Sequence, residues 1–199
     1  MDVRELLRAP ALEVAPRLLG WTVRHETAEG AVTVELTEVE AYEGGSDPAS
    51  HAHRGETARN RVMFGEAGHL YVYLSYGVHW CGNVVTGEVG TASAVLLRAG
   101  RVVEGCELAR SRRGERVRDR DLARGPGRLG QALGLGPHLG GADLLGGGPI
   151  TLVPGEGLDP GRLRSGHRVG VGRAHDLPWR FWVADEPTVS AYRRSPRAR

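Results

Sequence analysis

Three polar side chains at the end of one predicted strand have the residue types and the spacing of a hydrolytic site. Residues 32–42 alternate in character, and the apolar face that begins at Val32 continues to Glu38, Glu40 and Tyr42. A carboxylate carried from the edge of a core into a cavity can act as a general base, because burial and neighbouring charges adjust its affinity for a proton. A salt-bridged strand end is the alternative for each glutamate.

A polar, turn-rich loop follows this strand and offers possible metal ligands. Residues 43–60 contain His51 and His53, and His69 and Cys81 come later in the chain. Their spacing matches no closed zinc signature, and the pattern of zinc deaminases, His-x-Glu followed by Pro-Cys-x-x-Cys, does not occur. The sequence therefore predicts no metal site and disfavours base deamination.

A predicted hairpin places a large aromatic ring on its turn. Residues 69–74 and 79–85 have the alternation of strands, and Tyr76 falls between them beside Gly77, which supplies the backbone freedom for a tight reversal. A rigid ring on a hairpin tip can enter a nucleic-acid duplex and unstack a base step. The alternative is a tyrosine that lies back over its own sheet.

The charged residues indicate a polyanionic partner. All 26 basic residues are arginines, and eight of them stand in residues 110–128 against three acidic ones, whereas residues 1–50 hold ten acidic residues and four arginines. Arginine suits phosphate oxygens, although a solvated helix face with intrahelical ion pairs gives the same composition. Because the sequence contains no lysine, no side-chain amine can form a Schiff base.

The elements that must position these residues follow from the hydrophobic pattern. We expect short helical turns in 4–18, a hairpin through Glu29 and Gly30, strands at 91–98, 167–171 and 179–183, and helices near 102–113 and 128–134. Residues 134–161 are predicted only as connecting structure. This order predicts an α+β fold: a single domain over residues 1–199, with a curved, mostly antiparallel β-sheet, flanking helices and a protruding β-hairpin.

Composition narrows the class of protein further. No apolar run is long enough for a membrane helix, the first residues lack the character of a signal peptide, and two cysteines cannot form a disulfide framework. These features predict a cytoplasmic protein with no membrane association.

Eight blocks of the sequence, taken in order, resemble a known enzyme family. They are residues 40–42, the loop around His51, residues 59–64 and 68–77, Asn83, and residues 95–99, 124–133 and 168–172. Together they resemble the alkyladenine (3-methyladenine) DNA glycosylases, the methylpurine glycosylases of base excision repair, from about residue 15 to residue 190. The resemblance implies a bacterial, nucleoid-associated monomer that works without a cofactor on double-stranded DNA containing damaged purines.

The resemblance also implies roles for individual residues. Glu40 would activate the water that attacks the sugar of a flipped nucleotide, and Arg98 and the backbone carbonyl of Val169 would help to hold that water. The pocket for the flipped base would consist of Tyr42, His51 and Tyr73, with Asn83 excluding normal guanine. Tyr76 would fill the gap in the duplex, and the DNA backbone would be contacted by Arg59, Arg61, Gly125 and Arg128.

The chemistry of the residues agrees with these expectations and adds to them. Glycosidic hydrolysis requires a carboxylate and a water but no organic cofactor, and the missing lysines predict that strand-cleaving lyase activity is absent. Val78 departs from the family pattern, where a bulkier methionine often stands beside the intercalating residue. The alternative function is a non-catalytic sensor of damaged bases that uses Tyr76 as its wedge.

Overall fold

An eight-stranded antiparallel sheet is the framework of the computed structural model, which describes residues 2–198. The strands are β1 (Thr22–Thr27), β2 (Gly30–Tyr42), β3 (Leu70–Ser75), β4 (His79–Val85), β5 (Ala94–Glu104), β6 (Ile150–Val153), β7 (Leu163–Gly166) and β8 (Arg180–Val183). They lie in the order β3-β4-β5-β2-β1-β6, while β8 pairs with both β2 and β7. The predicted α+β class with a mostly antiparallel sheet is confirmed.

Strand β2 is the longest strand and lies at the centre of the sheet. It pairs with β5 along most of its length, and its other edge pairs first with β1 and then with β8 at Glu38–Glu40. Irregularities in the register on both sides of Glu38 turn the strand locally, and residues 37–41 are all buried. The expectation that the apolar face of Val32 continues to Glu40 and Tyr42 is therefore wrong: beyond this irregularity that face continues to Val39 and Ala41. The end of β2 is therefore enclosed from both edges.

Four α-helices cover one face of this sheet. They are α1 (Val3–Leu7), α2 (Ala11–Val14), α3 (Cys106–Arg113) and α4 (Pro126–Leu133), and short 3₁₀ helices are found at Ala15–Leu18, Gly44–Ser46, Arg61–Phe64, Asp119–Asp121, Pro137–Leu139 and Pro160–Arg162. Helix α4 begins with a proline and is followed by Gly134 in the left-handed conformation, φ 72°. Gly130 lets α4 approach β4 closely, because any side chain there would collide with the carbonyl oxygen of Trp80.

The two faces of the sheet carry different cores. The main core lies under the helices and includes Leu70, Val84 and Leu97. A smaller cluster on the other face contains Met63, Tyr71, Val85 and Ala94, and it packs beneath the loop of residues 43–60. This second face is the one that carries polar side chains into a cleft.

Most of the predicted elements are present, with three corrections. Residues 102–104 belong to β5 rather than to the following helix, because β5 continues along β2 as far as Glu104. The region 134–161 contains strand β6, which pairs with β1. The strand expected at 167–171 is wrong: β7 ends at Gly166, and the next residues form an irregular segment held by Arg168.

Candidate active site

A cleft of about 610 Å³ opens on the face of the sheet opposite the helices. Its walls come from the end of β2, the loop of residues 43–60, the β3–β4 hairpin, β5 and residues 169–173. The expected site residues that line it are Tyr42, His51, Arg59, Tyr73, Tyr76, Asn83, Arg98 and Val169. Five separate parts of the chain thus bring these side chains together.

Glu40 is fully buried beside this cleft and is held by three neighbours. Its Oε2 accepts a hydrogen bond from the hydroxyl of Tyr42 at 2.8 Å, and its Oε1 accepts one from the backbone N–H of Val169 at 2.7 Å. Nη1 of Arg98 lies 3.4 Å from Oε1. The contact of Val169 with the carboxylate is made by its N–H group, whereas the resemblance assigned a role to its carbonyl.

A second buried carboxylate, Glu38, fixes the arginine of the site. Its Oε1 accepts from Nε of Arg98 at 2.8 Å and from Nε of Arg180 at 2.7 Å, and its Oε2 accepts from the N–H of Ser190 at 2.6 Å. Burial raises the pKa of Glu38, but the two arginines and the Ser190 N–H outweigh it and leave that pKa below its usual value. The pKa of Arg98 is raised by Glu40 and Glu38 in spite of its burial.

A buried ion pair positions the segment that contacts Glu40. Arg168 and Asp47 are both almost inaccessible, and Nη2 of Arg168 donates to Oδ1 of Asp47 at 2.8 Å. The same guanidinium lies over the rings of Tyr42 and Trp179, 4.6 and 5.0 Å from their centroids, and donates to the carbonyl of Ala41 at 3.0 Å. Arg168 directly precedes Val169 in the chain. Its contacts therefore hold this segment against the end of β2 and the 43–60 loop.

Aromatic rings form another wall of the cleft. His51 and Tyr73 pack edge to face with centroids 4.6 Å apart, and Tyr71 stacks beside Tyr73 at 5.8 Å. Burial raises the pKa of Tyr73, so its hydroxyl stays protonated. Burial and the nearby charge of Arg59 lower the pKa of His51, which favours a neutral imidazole.

Asn83 lies at the base of the cleft on β4. It is 5% exposed, and its Nδ2 donates to the carbonyl of Tyr71 across the hairpin at 3.2 Å. This bond fixes the orientation of the amide, so Asn83 presents a defined polar group to whatever enters the cleft.

Tyr76 projects from the tip of the β3–β4 hairpin. Its side chain is 90% exposed, and Val78 beside it is 67% exposed. Tyr76 also has φ 50°, a left-handed conformation that is unfavourable for a bulky residue. The alternative in which this tyrosine lies over its own sheet does not occur.

The arginines of residues 110–128 are largely engaged within the protein. Arg110 pairs with Asp119, Arg112 with Glu29, and Arg118 with Asp121. Arg113 donates to the Leu122 carbonyl and to Gln131. Most of these arginines therefore have partners within the protein, which a count of charges along the sequence does not reveal.

The four residues expected at the DNA backbone occupy two areas. Arg59 lies at the cleft and donates to the Leu74 carbonyl, and Arg61 pairs with Glu56 on the surface. Gly125 caps the start of α4, whose first residue, Pro126, lines the cleft, and Arg128 lies in the same helix. Only Arg59 of these four lines the cleft itself.

Two further observations bear on the expected class. Within residues 2–198, no three His, Cys, Asp or Glu side chains come together as a metal site would require. None of the helices in that range has the length and apolar character that crossing a bilayer needs.

Sequence reasoning missed the residues that support the site. The alternation that selects Glu40 also selects Glu38, but nothing in the sequence signals that Arg180 and Ser190 converge on it. Arg168 and Asp47 are 121 positions apart, and only the fold shows that they pair.

Comparison with known proteins gives a consistent result over nearly the whole chain. A family model described as methylpurine-DNA glycosylase matches residues 5–187. A protein of Streptomyces avermitilis is 52% identical, with 98% of this chain and 94% of the relative covered, and one of Frankia casuarinae is 54% identical, with 96% and 92% covered. A third, from Cutibacterium acnes, is 51% identical, with 94% and 98% covered. All three bear the name "Putative 3-methyladenine DNA glycosylase".

These matches place the chain in the class of DNA glycosylases, the class that the resemblance implied. Within that class, it belongs to the methylpurine-DNA glycosylase family.

Proposed function

We propose that this protein is a monofunctional DNA glycosylase that flips a damaged purine out of duplex DNA and hydrolyses its N-glycosidic bond. The observation that carries the proposal is the position of Glu40, a fully buried carboxylate beside an aromatic cleft and in contact with Arg98. A domain spanning residues 1–199 would act as a monomer, with alkylated or deaminated purines as its substrates.

Glu40 would act as the general base. A water bound to its carboxylate attacks C1′ of the flipped nucleotide, a C–O bond forms, and the bond from C1′ to the purine nitrogen breaks. The proton of the water passes to Glu40 and the bonding electrons leave with the base, so the DNA retains an abasic sugar. The hydroxyl of Tyr42 and the N–H of Val169 each donate a hydrogen bond to one oxygen of Glu40. These two bonds fix the orientation of the carboxylate.

The cleft suits a cationic purine. Aromatic faces attract a positive ring through cation–π interaction, and Tyr42, His51 and Tyr73 supply three rings. A neutral imidazole at His51 adds no charge that would repel such a base. Asn83 would exclude guanine, because its amide, held by the Tyr71 carbonyl, would collide with the exocyclic amino group of a guanine in the cleft.

Tyr76 would replace the flipped nucleotide in the base stack. An exposed ring in an unfavourable backbone conformation is costly to keep on a free surface, which supports a functional role at this position. The proposal also includes the absence of lyase activity, because strand cleavage by bifunctional glycosylases proceeds through a Schiff base and the chain has no lysine.

The test is a single-turnover incubation with duplex oligonucleotides that carry one methylated purine or one hypoxanthine. We expect free base to be released and strand breaks to appear only after alkali treatment. Strand breaks without alkali would contradict the absence of lyase activity. Tight binding without any base release would favour the non-catalytic sensor instead.

A further inference from the structure

The match to the family model ends at residue 187, and residues 188–198 follow it. They are nevertheless attached to the site. The N–H of Ser190 donates to Glu38 at 2.6 Å, so this tail begins at the carboxylate that holds Arg98. Its later residues therefore start from a fixed point next to the cleft.

The tail then runs along the segment that lines the cleft. The N–H of Gly170 donates to the carbonyl of Arg193 at 3.0 Å, and Nη2 of Arg194 lies 3.3 Å from Nε2 of His175. Arg197 lies against Gly172: a Cβ atom added to this glycine would be 3.7 Å from the Cβ of Arg197. Gly170 and Gly172 are both part of the cleft wall, so the three arginines lie on the outer side of that wall.

These arginines differ from most of those in residues 110–128 in having no carboxylate partner. Arg193, Arg194 and Arg197 are exposed, and none of them forms an ion pair among the described residues. Arg173, on the cleft wall itself, is likewise exposed and without an ion pair in residues 2–198. Residues 187–198 contain no acidic side chain at all. Four exposed guanidinium groups without an ion pair thus lie on this wall of the cleft or next to it.

We propose that Arg193, Arg194 and Arg197 form, with Arg173, a phosphate-binding edge that grips the backbone of the duplex while the damaged base occupies the cleft. Planar guanidinium groups with several donors match phosphate oxygens, and neutralised phosphates release counterions. Because Arg59 lines the cleft from another part of the chain, the duplex would be held on two sides of the flipped nucleotide. This inference rests on the proposed function, since it requires DNA as the ligand.

The test compares two triple variants with the same change in net charge. R193Q/R194Q/R197Q removes the proposed edge, and R17Q/R162Q/R164Q removes three exposed arginines that line no part of this cleft and form no ion pair within residues 2–198. The measurement is the affinity for an undamaged duplex as a function of salt. With all three residues on phosphates, the slope of log K against log salt becomes less steep by about 2.7, and affinity near 0.1 M salt falls at least tenfold. The control variant should stay within about twofold of the wild type.

Further measurements distinguish the loss of phosphate contacts from a damaged fold and from a failure of the proposed function. The lysine variant R193K/R194K/R197K keeps the charges, so it should restore most of the slope, whereas a damaged fold would not be rescued. Release of a methylated purine at saturating protein should be unchanged in the control R17Q/R162Q/R164Q, because none of its substituted residues lines the cleft or contacts Glu40. Equal slopes in the two glutamine variants would overturn the inference. A wild type that binds no DNA would overturn both proposals, and one that binds but releases no base would overturn only the catalytic one. An acidic protein bound in preference to the duplex would also refute the edge.

Discussion

The buried pair of Arg168 and Asp47 allows a quantitative test of how the site is supported. Replacing Asp47 by Asn removes the negative charge and leaves the guanidinium of Arg168 in a site that is about 1% exposed. Breaking a buried ion pair from one side costs about 3–5 kcal/mol. The rings of Tyr42 and Trp179 and the carbonyl of Ala41 still contact the cation, so we expect about 3 kcal/mol.

The magnitude is measured with a double-mutant cycle in urea. Arg168→Met leaves Asp47 uncompensated and should also cost about 3–5 kcal/mol, whereas D47N/R168M leaves no buried charge and should cost less than the sum of the two single variants by at least about 2 kcal/mol. Because Arg168 positions the N–H that binds Glu40, base release should fall in R168M under conditions where the variant is fully folded. Additive single effects, or normal base release by folded R168M, would refute this account of the pair.

Two other variants test separate parts of the molecule. Tyr76→Ser should slow base release from duplex DNA by roughly tenfold or more, since stacking is worth about 1–3 kcal/mol per base, and should leave release from a single strand unchanged; Y76F keeps the ring and serves as the control. Equal losses on both substrates would indicate damage to the fold rather than loss of a wedge. His25 is buried, with Nδ1 2.7 Å from the Leu133 carbonyl, and its pKa is lowered by burial from the usual 6.5. The unfolded chain therefore binds more protons between that lowered pKa and pH 6.5, so stability present above pH 6.5 should decline as the pH falls through this window. His25→Asn retains a donor for Leu133 and should flatten the decline in urea midpoint; an unchanged pH slope would show that His25 does not titrate on unfolding.

The sequence predicts the parts of the site that depend on local periodicity. Alternation predicts that Glu40 and Tyr42 share one face at the end of β2, and a tight turn places Tyr76 on the hairpin tip. Both conclusions follow from the backbone geometry of a strand, which two or three neighbouring residues determine. The helix over residues 128–134 is found for the same reason, through its proline start and glycine end. Alternation does not predict which face of β2 carries the site, because the irregularity at Glu38 separates Glu40 and Tyr42 from the face of Val32.

Features that depend on distant partners are not predictable in this way. The Glu38 cluster requires Arg98, Arg180 and Ser190, which lie 60, 142 and 152 positions from Glu38 in sequence. Strand β6 has only four residues within a glycine-rich region, and its pairing with β1 decides its structure. The alternation at 167–171 resembles a strand, but Arg168 turns inward to Asp47 and Gly170 has φ 73°. Tertiary contacts override the local pattern in each of these cases.

The most direct test of the central claim is the substitution Glu40→Gln, assayed for binding and for base release on the same duplex carrying one methylated purine. The amide keeps the size of the side chain but accepts no proton from water. We predict binding within a few fold of the wild type and base release at least about 100-fold slower, the typical contribution of a general base. Base release at the rate of the wild type would contradict the assignment of Glu40.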